Sequence, residues 1–298
     1  MKQILRGIIP PVITPLLNND ELDVNGLRKL IEHLISGGVH GLFLLGTNGE
    51  APSLSYELRR ELIARACEFT ANRVPVLVGI SDTSFKGSVD IAEFSHGAGV
   101  NAVVVAPPYY MPISQEEMMV YLENLVAALP LPFVLYNMPS CTKLHMTLET
   151  VKKAKELGAV GVKDSSGDMS YLYSLIEEFK DSPDFAIMAG TELYLPDMIM
   201  NGGDGAIAGG ANILPRLFVD LYEASVNKEM DKIDQLRKHV VKLYNTIYNI
   251  GESPMKITKG IKCALSLMGI CNGYMAHPLR EFSGHERKLV EQYLAEIT

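Results

Sequence analysis

Eight short apolar runs, separated by amphipathic segments, constrain the fold of this chain more than any other feature. Each run contains several aliphatic or β-branched residues in succession. The runs cover residues 8–13, 41–45, 74–80, 102–106, 132–136, 160–162, 185–189 and 205–208. Near-continuous apolarity is typical of parallel strands that are buried on both faces, so the runs predict strands of a parallel sheet.

The segments between the runs carry the start signals of helices. Ser55 and Thr147 each precede an amphipathic segment and are predicted N-caps. Ser114 and Glu117 have the spacing of a capping box. Strands that alternate with helices predict an α/β fold, and eight such units predict closure into a (β/α)8 TIM barrel. A doubly wound open sheet is the alternative, but it often has a glycine-rich first turn, which this chain lacks.

The pattern changes after residue 226. Residues 230–250, 254–268 and 278–297 predict three helices without intervening strands. We therefore expect a catalytic barrel at residues 1–226 and a three-helix C-terminal extension at residues 227–298 that packs on it. No low-complexity linker separates the two parts.

Charge and cysteine spacing argue against several kinds of partner. The formal net charge is −8 and no basic stripe is present, so nucleic acid is not an expected partner. The chain has no run of about 18 apolar residues and no signal-peptide region, so we expect no membrane span and a cytoplasmic location. The cysteines show neither CxxC nor zinc-ligand spacing, which predicts reduced thiols and no metal site. They are Cys67, Cys141, Cys263 and Cys271.

Lys163 is the sharpest candidate for chemistry. Active sites of (β/α)8 barrels lie at the C-terminal ends of the strands, and Lys163 directly follows the sixth apolar run. Because side chains alternate along a strand, an inward Lys163 places Val162 and Asp164 towards the helices. A lysine withdrawn from water is more easily deprotonated, and the neutral amine attacks ketones. The alternative is a lysine that extends into solvent at a strand end.

Two other strand ends carry candidate groups. Tyr136 ends the fifth run, where its phenol can shuttle protons or simply bond a carbonyl group. Residues 46–50 (GTNGE) follow the second run and offer backbone N–H groups to a carboxylate or phosphate, or form only a tight turn. The glycines at 202–210 resemble phosphate-binding loops, but we interpret them as a helix cap and points of close approach.

Together these strand ends resemble one family. The motifs are GIIPPVITP at 7–15, GTNGE at 46–50, PYY at 108–110, YNMP at 136–139 and GVKDSSG at 161–167, and the likeness extends to Pro254 and Lys256. This order and spacing resembles the dihydrodipicolinate synthase / N-acetylneuraminate lyase superfamily of pyruvate-dependent class I aldolases and dehydratases. The resemblance covers nearly the whole chain and implies the same barrel fold.

The resemblance implies three catalytic residues. Lys163 matches the lysine that forms the Schiff base, and Tyr136 matches the catalytic tyrosine. Tyr110 is similar to an aromatic residue that reaches across a subunit interface and relays protons. The family is commonly a homotetramer built as a dimer of dimers, so the resemblance implies that assembly as well.

It also implies a set of substrate-binding residues. Thr47 and Asn48 match the pair that holds the pyruvate carboxylate, and Asn48, where the family more often has Thr, is expected to act through its backbone N–H. Ser165 matches a hydroxyl that touches the aldol hydroxyl of the substrate. Gly190 and Ile207 match positions whose backbone lines the site.

Two departures from the family pattern bear on the substrate. Dihydrodipicolinate synthases place an arginine where this chain has Cys141, and a thiol cannot make a bidentate contact with a carboxylate. Sialic acid lyases have an Asp-Glu pair after the seventh strand, where this chain has Thr191-Glu192-Leu193. Cys141 therefore disfavours the second, carboxylate-bearing substrate of dihydrodipicolinate synthases. The loss of the Asp-Glu pair disfavours sialic acid.

We therefore expect a lyase that cleaves a 2-keto-3-deoxy sugar acid or another 4-hydroxy-2-oxo acid to pyruvate and an aldehyde. The Schiff base is itself the electron sink, so the resemblance implies no metal or organic cofactor. The alternatives on the same scaffold are dihydrodipicolinate synthase, N-acetylneuraminate lyase and a keto-deoxy acid dehydratase. A non-catalytic protein that senses a 2-keto acid is the alternative of a different class.

Overall fold

Eight parallel strands form a barrel in the computed structural model, which describes residues 5–297. The strands are β1 (Gly7–Ile8), β2 (Leu42–Leu44), β3 (Val76–Gly79), β4 (Ala102–Val105), β5 (Phe133–Asn137), β6 (Ala159–Asp164), β7 (Ala186–Ala189) and β8 (Gly205–Ala206). Each predicted apolar run overlaps one of these strands, so the (β/α)8 prediction is confirmed.

The barrel closes between β1 and β2. Strand β1 pairs with β8, and Pro11 forms a parallel bridge with Phe43 of β2. The Val12 N–H donates to Phe43 O at 2.8 Å, and the Phe43 N–H donates to Pro10 O at 3.0 Å. The first strand is shorter than predicted because Pro10 and Pro11 have no N–H to continue a regular ladder.

Twelve α-helices surround or extend the barrel in the described part of the chain. They are α1 (Val24–Ser36), α2 (Tyr56–Thr70), α3 (Phe85–Gly97), α4 (Gln115–Val126), α5 (Pro139–Thr142), α6 (Leu148–Glu156), α7 (Met169–Phe179), α8 (Leu195–Met200), α9 (Pro215–Val226), α10 (Met230–Asn245), α11 (Lys256–Leu267) and α12 (Gly284–Ile297). None of these helices combines the length and apolarity that a membrane span requires.

The predicted helix starts are also present. Ser55 accepts a hydrogen bond from the Leu58 N–H at the start of α2, and Thr147 caps α6 in the same way. Ser114 and Glu117 form the capping box of α4. Each cap satisfies an N–H group that has no partner within its own helix.

Two apolar clusters divide the core. The larger cluster lies between the strands and the helices and includes Val162. The smaller cluster includes Phe43, Tyr136 and Ile207 from three different strands or strand ends and fills the interior of the barrel. The residues that face the barrel interior therefore form a packed layer, and the polar groups of a site must lie at its C-terminal mouth.

The three C-terminal helices are present, but the last one is shorter than predicted. It begins at Gly284 rather than at residue 278. The preceding segment is held by the barrel instead, because the Ala276 N–H donates to Glu50 Oε2 at 2.8 Å. Pro278 and Leu279 then pass over the mouth of the barrel and line its cavity.

Candidate active site

Lys163 points into the barrel. Its side chain lies on β6 directly opposite Tyr136 of β5, and the residue is only 4% exposed. The Nζ atom lies 4.0 Å from the centroid of the Tyr136 ring and 5.2 Å from that of Phe43. Val162 lies in the outer cluster, as strand alternation predicts. The alternative of a lysine extended into solvent is therefore wrong.

The ends of the same two strands are tied together on their outer side. The Asn137 amide donates to Asp164 Oδ1 at 2.7 Å, and both side chains are buried. Ser166 Oγ donates to the other carboxylate oxygen at 2.8 Å. Burial raises the pKa of Asp164, and these hydrogen bonds oppose the shift. The pair holds β5 and β6 in register directly beside Tyr136 and Lys163.

Thr47 joins this group from the end of β2. Its Oγ1 lies 3.3 Å from the Tyr136 hydroxyl oxygen. Residues 46–50 form two overlapping turns, in which the Gly49 N–H donates to Gly46 O and the Glu50 N–H donates to Thr47 O, both at 3.0 Å. Among the described residues, nothing accepts a hydrogen bond from the backbone N–H groups of Thr47 and Asn48. Both donors are therefore available to an anion.

The other side of this turn is bonded to the rest of the protein. Thr14 Oγ1 donates to Gly49 O at 2.7 Å. Thr258 Oγ1 of α11 donates to Asn48 Oδ1 at 3.1 Å. The side-chain oxygen of Asn48 is therefore occupied, in agreement with a role for its backbone N–H.

Glu50 ends the turn in a buried ion pair. Lys262 Nζ lies 2.5 Å from Glu50 Oε1, and neither side chain is exposed to solvent. Burial lowers the pKa of Lys262, and the Glu50 carboxylate opposes that shift. Two buried charges of opposite sign fix the position of α11 against the turn.

The predicted residues that directly follow β6, β7 and β8, which are Ser165, Gly190 and Ile207, also meet at this mouth. The Gly190 N–H donates to Asp164 O at 2.6 Å, and the Ile207 N–H donates to Ala189 O at 2.8 Å. A β-carbon at position 190 would collide with Ser165 Oγ, so only glycine allows this approach.

Glu192 is buried beside these strands, and its carboxylate bonds a backbone N–H group of the protein itself. Its Oε2 accepts a hydrogen bond from the Gly210 N–H at 3.0 Å. Burial raises the pKa of Glu192, and the Gly210 N–H opposes the shift. The carboxylate does not face the cavity in the described part of the chain.

A cavity of about 290 Å³ opens at the C-terminal ends of the strands. Thr47, Phe43 and Tyr136 line it, and Lys163 adjoins it through the two aromatic rings. Cys141 is an exposed residue of the lining. The remaining lining residues are Leu45, Gly46, Glu50, Ala51, Pro52, Ser53, Gly79, Ser81, Val104, Ala106, Tyr109, Met138, Thr142, Met255, Pro278 and Leu279. None of the lining residues is Lys, Arg or His.

Tyr110 lies apart from this cavity. Its side chain is 88% exposed, and its backbone has a φ of 79°, which a non-glycine residue rarely adopts. The neighbouring Met111 is 69% exposed. The structure of one chain therefore does not bring Tyr110 together with Lys163 and Tyr136.

Sequence reasoning missed the contribution of the C-terminal extension. Met255, Pro278 and Leu279 line the cavity, and Lys262 pairs with Glu50. The one available signal was Lys262 itself, a charged residue between Ile261 and Cys263 on the apolar side of its helix. Within residues 5–297, no group of three or more His, Cys, Asp or Glu side chains is placed to hold a metal ion.

Comparisons with known proteins identify the family of this chain. The model of the dihydrodipicolinate synthetase family matches residues 4–297. A 4-hydroxy-tetrahydrodipicolinate synthase from Methanopyrus kandleri is 30% identical over 98% of this chain and 96% of its own length. A putative 2-dehydro-3-deoxy-D-gluconate aldolase from Escherichia coli, YagE, is 34% identical over 73% of each chain.

Solved structures give the same result. Dihydrodipicolinate synthase from Bacteroides thetaiotaomicron is 46% identical, with a TM-score of 0.95 over 98% of both chains. The structure of YagE in complex with pyruvate has a TM-score of 0.92 and 28% identity over 99% of both chains. Since the family model spans nearly the whole sequence, this chain belongs to the dihydrodipicolinate synthetase family.

Proposed function

We propose that this protein is a Schiff-base-forming lyase that cleaves a 4-hydroxy-2-oxo acid, most specifically a 2-keto-3-deoxy sugar acid, to pyruvate and an aldehyde. The observation that carries the proposal is the inward Lys163, whose Nζ lies 4.0 Å from the centroid of the Tyr136 ring beside a cavity. The family membership and the similarity to YagE, whose structure holds pyruvate, support the same reaction.

The reaction follows from the proposed roles. The substrate carboxylate accepts hydrogen bonds from the free N–H groups of Thr47 and Asn48. Lys163 Nζ attacks the C2 carbonyl, and loss of water gives an iminium ion. Tyr136 removes the proton of the C4 hydroxyl, the C3–C4 bond breaks, and its electron pair passes into an enamine as the aldehyde leaves. Protonation at C3 and hydrolysis release pyruvate and restore the amine.

The composition of the cavity lining favours a substrate whose aldehyde fragment is uncharged. None of its described lining residues carries a cationic side chain that would bind a second carboxylate or a phosphate. Ser53, Ser81 and Tyr109 are among the lining residues, and hydroxyl-bearing side chains of this kind suit the hydroxyls of a sugar acid. We therefore favour a 2-keto-3-deoxy sugar acid over a dicarboxylic 4-hydroxy-2-oxo acid.

The other members of the scaffold fit less well. The cavity presents the Cys141 thiol at the position where dihydrodipicolinate synthases carry an arginine. Glu192, the remaining carboxylate after β7, is bonded to Gly210 and does not line the cavity, which weighs against sialic acid. A keto-deoxy acid dehydratase needs the same iminium and remains the second candidate.

Borohydride trapping with pyruvate tests the proposal. Reduction of the Schiff base should add a stable mass to the wild-type chain at Lys163, and the Lys163→Ala variant should gain none. Lys155→Ala is the matched control, because that lysine bonds Ser182 outside the cavity and should leave trapping unchanged. Trapping that persists in Lys163→Ala contradicts the assignment.

Two further measurements separate the alternatives. Release of pyruvate from a panel of keto-deoxy acids identifies a lyase, whereas a dehydratase leaves the carbon chain intact. Exchange of the pyruvate methyl protons with deuterated water reports enamine formation. A protein that binds pyruvate without this exchange is a sensor and not an enzyme.

We propose a homotetramer built as a dimer of dimers, in which Tyr110 reaches the site of a second chain. The exposed side chains of Tyr110 and Met111 and the left-handed backbone at position 110 support an interface there. Sedimentation of the wild type and of Met111→Glu tests it, since a buried charge at an interface should dissociate the dimer. We also propose, as a separate point, that the protein is located in the cytoplasm.

A further inference from the structure

Helix α11 contacts the carboxylate-binding turn, defined here as residues 46–50, through two side chains on one face. Thr258 and Lys262 are four residues apart and so lie one helical turn from each other. Thr258 donates to Asn48, and Lys262 pairs with Glu50. Thr258, Lys262 and Glu50 are buried, and Asn48 is half-buried.

The contacts of Thr258 and Lys262 act on different residues of the turn. The Lys262 pair fixes Glu50, whose second oxygen accepts from the Ala276 N–H, so it fastens the end of the turn to the C-terminal extension. The Thr258 contact is neutral and acts on Asn48, one of the two residues whose backbone N–H groups have no partner in the described structure. Only the Thr258 contact therefore bears directly on a proposed substrate donor.

The Asn48 side chain has little freedom of its own. Its Oδ1 accepts the Thr258 hydroxyl, and its Nδ2 would lie 2.9 Å from a β-carbon placed on Gly209. The amide therefore lies between α11, which bonds it, and Gly209, which follows β8 and approaches it closely. A side chain that is bonded to a packed helix restricts the backbone of its own residue, and a preformed donor costs less to order on binding.

We propose that Thr258 is a positioning residue for substrate binding: by holding the Asn48 amide it fixes the backbone N–H groups of Thr47 and Asn48 for the substrate carboxylate. The inference rests on the proposed function, since it takes these groups as the carboxylate site. It predicts a specific kinetic effect. The carboxylate is bound in the substrate and in the transition state alike, so loss of Thr258 should weaken binding and leave the maximal rate nearly unchanged.

The experiment compares Thr258→Val with the wild type by the rate of borohydride inactivation at increasing pyruvate concentration. Valine keeps the shape of threonine and removes the hydroxyl donor. The half-saturating pyruvate concentration should rise by roughly 3- to 10-fold, which corresponds to one lost hydrogen bond. The inactivation rate at saturating pyruvate should stay within about twofold of the wild type.

Three variants control the comparison. Thr258→Ser keeps the donor and should restore the half-saturating concentration of the wild type. Thr70→Val removes another buried threonine hydroxyl, one without a partner in the described structure, and should leave that concentration unchanged. Asn48→Ala keeps the backbone N–H and removes the acceptor, so it should match Thr258→Val, and combining the two should add no further loss.

The outcomes separate the two proposals. If the wild type is not trapped by pyruvate at all, the proposed function fails, and this inference fails with it. If the wild type is trapped and Thr258→Val reaches half-saturation at the same pyruvate concentration, the function stands and the positioning role is wrong. A purely structural role would lower the melting temperature and the amount of trapped protein at saturation without moving half-saturation, and this result also overturns the inference.

Discussion

The Asn137 amide donates to the Asp164 carboxylate at 2.7 Å, and each of these residues directly follows one member of the proposed catalytic pair. Tyr136 and Lys163 face the barrel interior, while Asn137 and Asp164 lie on the opposite side of the same two strands. The hydrogen bond therefore fixes the register and spacing of the reacting groups without touching the substrate. Both residues are buried, so water does not replace the bond if it is lost.

Asn137→Ala should impair both stability and turnover. The variant leaves the Asp164 carboxylate and the Met146 N–H without their Asn137 partner, which should cost about 1–3 kcal/mol of unfolding free energy. It should also lower kcat, because a displacement of Lys163 relative to Tyr136 affects every chemical step. Denaturant titration and steady-state kinetics measure the two effects.

Asn101→Ala is the control for that variant. Asn101 is exposed whereas Asn137 is buried, so its loss of stability should be the smaller of the two. Asn101 accepts a hydrogen bond from the Val76 N–H at 2.8 Å, but it lies at the N-terminal end of β4, away from the cavity. The control should lose stability and keep kcat. Equal loss of kcat in both variants would mean that general loosening of the barrel, and not local register, controls the rate.

Tyr136→Phe should separate Schiff-base formation from bond cleavage. The variant keeps the ring that contacts Lys163 and removes the hydroxyl that lies 3.3 Å from Thr47 Oγ1. Borohydride trapping with pyruvate should still reach completion, whereas pyruvate release from a keto-deoxy acid should slow by about 10²- to 10⁴-fold, the usual contribution of a general acid–base. Tyr121→Phe removes a hydroxyl that bonds Ser88, and neither of these residues lines the cavity, so it should change neither measurement. Unchanged pyruvate release in Tyr136→Phe would exclude the tyrosine as the proton acceptor.

Local patterns were sufficient to predict the barrel and the strand-end residues. Lys163 and Tyr136 could be placed because Lys163 directly follows an apolar run and Tyr136 ends one. The C-terminal end of a barrel strand leads to the mouth whatever the rest of the chain does. The caps at Ser55 and Ser114 depend only on neighbours three residues away.

Long-range docking could not be predicted in the same way. Glu50 and Lys262 are 212 residues apart, and their contact depends on how the C-terminal extension packs on the barrel. The start of α12 was misplaced for the same reason, because the Ala276 N–H bonds Glu50 and draws the following residues over the cavity. The position of Lys262 on the apolar side of its helix indicates a buried charge, but no pattern within that helix identifies Glu50 as its partner.

Cys141→Arg should increase the activity towards aspartate semialdehyde. Dihydrodipicolinate synthases condense pyruvate with aspartate semialdehyde. Cys141 is exposed within the cavity lining, so an arginine there can reach the carboxylate of aspartate semialdehyde. A charged hydrogen bond contributes about 1.5–3 kcal/mol, which corresponds to a gain in kcat/KM of roughly 10- to 100-fold. Condensation with pyruvate is the assay, and Cys141→Ser is the uncharged control, which should show no gain. High activity of the wild type with aspartate semialdehyde would refute the argument from Cys141.

Glu192→Gln should change how stability depends on pH. Burial raises the pKa of Glu192 in the folded protein above the ordinary glutamate value of about 4.3. Below that value the carboxyl is protonated in both the folded and the unfolded chain. As the pH rises, the unfolded chain releases its proton first, so the free energy of unfolding falls until the pH has passed the folded pKa.

Glutamine cannot ionise, but its oxygen can still accept the Gly210 N–H that now bonds Glu192. The variant should therefore lack this part of the fall, and its advantage over the wild type should grow from about pH 4.3 upwards. Asp164, whose pKa is also raised by burial, contributes a fall of the same sign in both proteins, and it cancels in the difference. Denaturant titrations of both proteins across this pH range give that difference directly. If it stays constant with pH, Glu192 holds its proton equally well in the folded and unfolded chain, and burial does not control its ionisation.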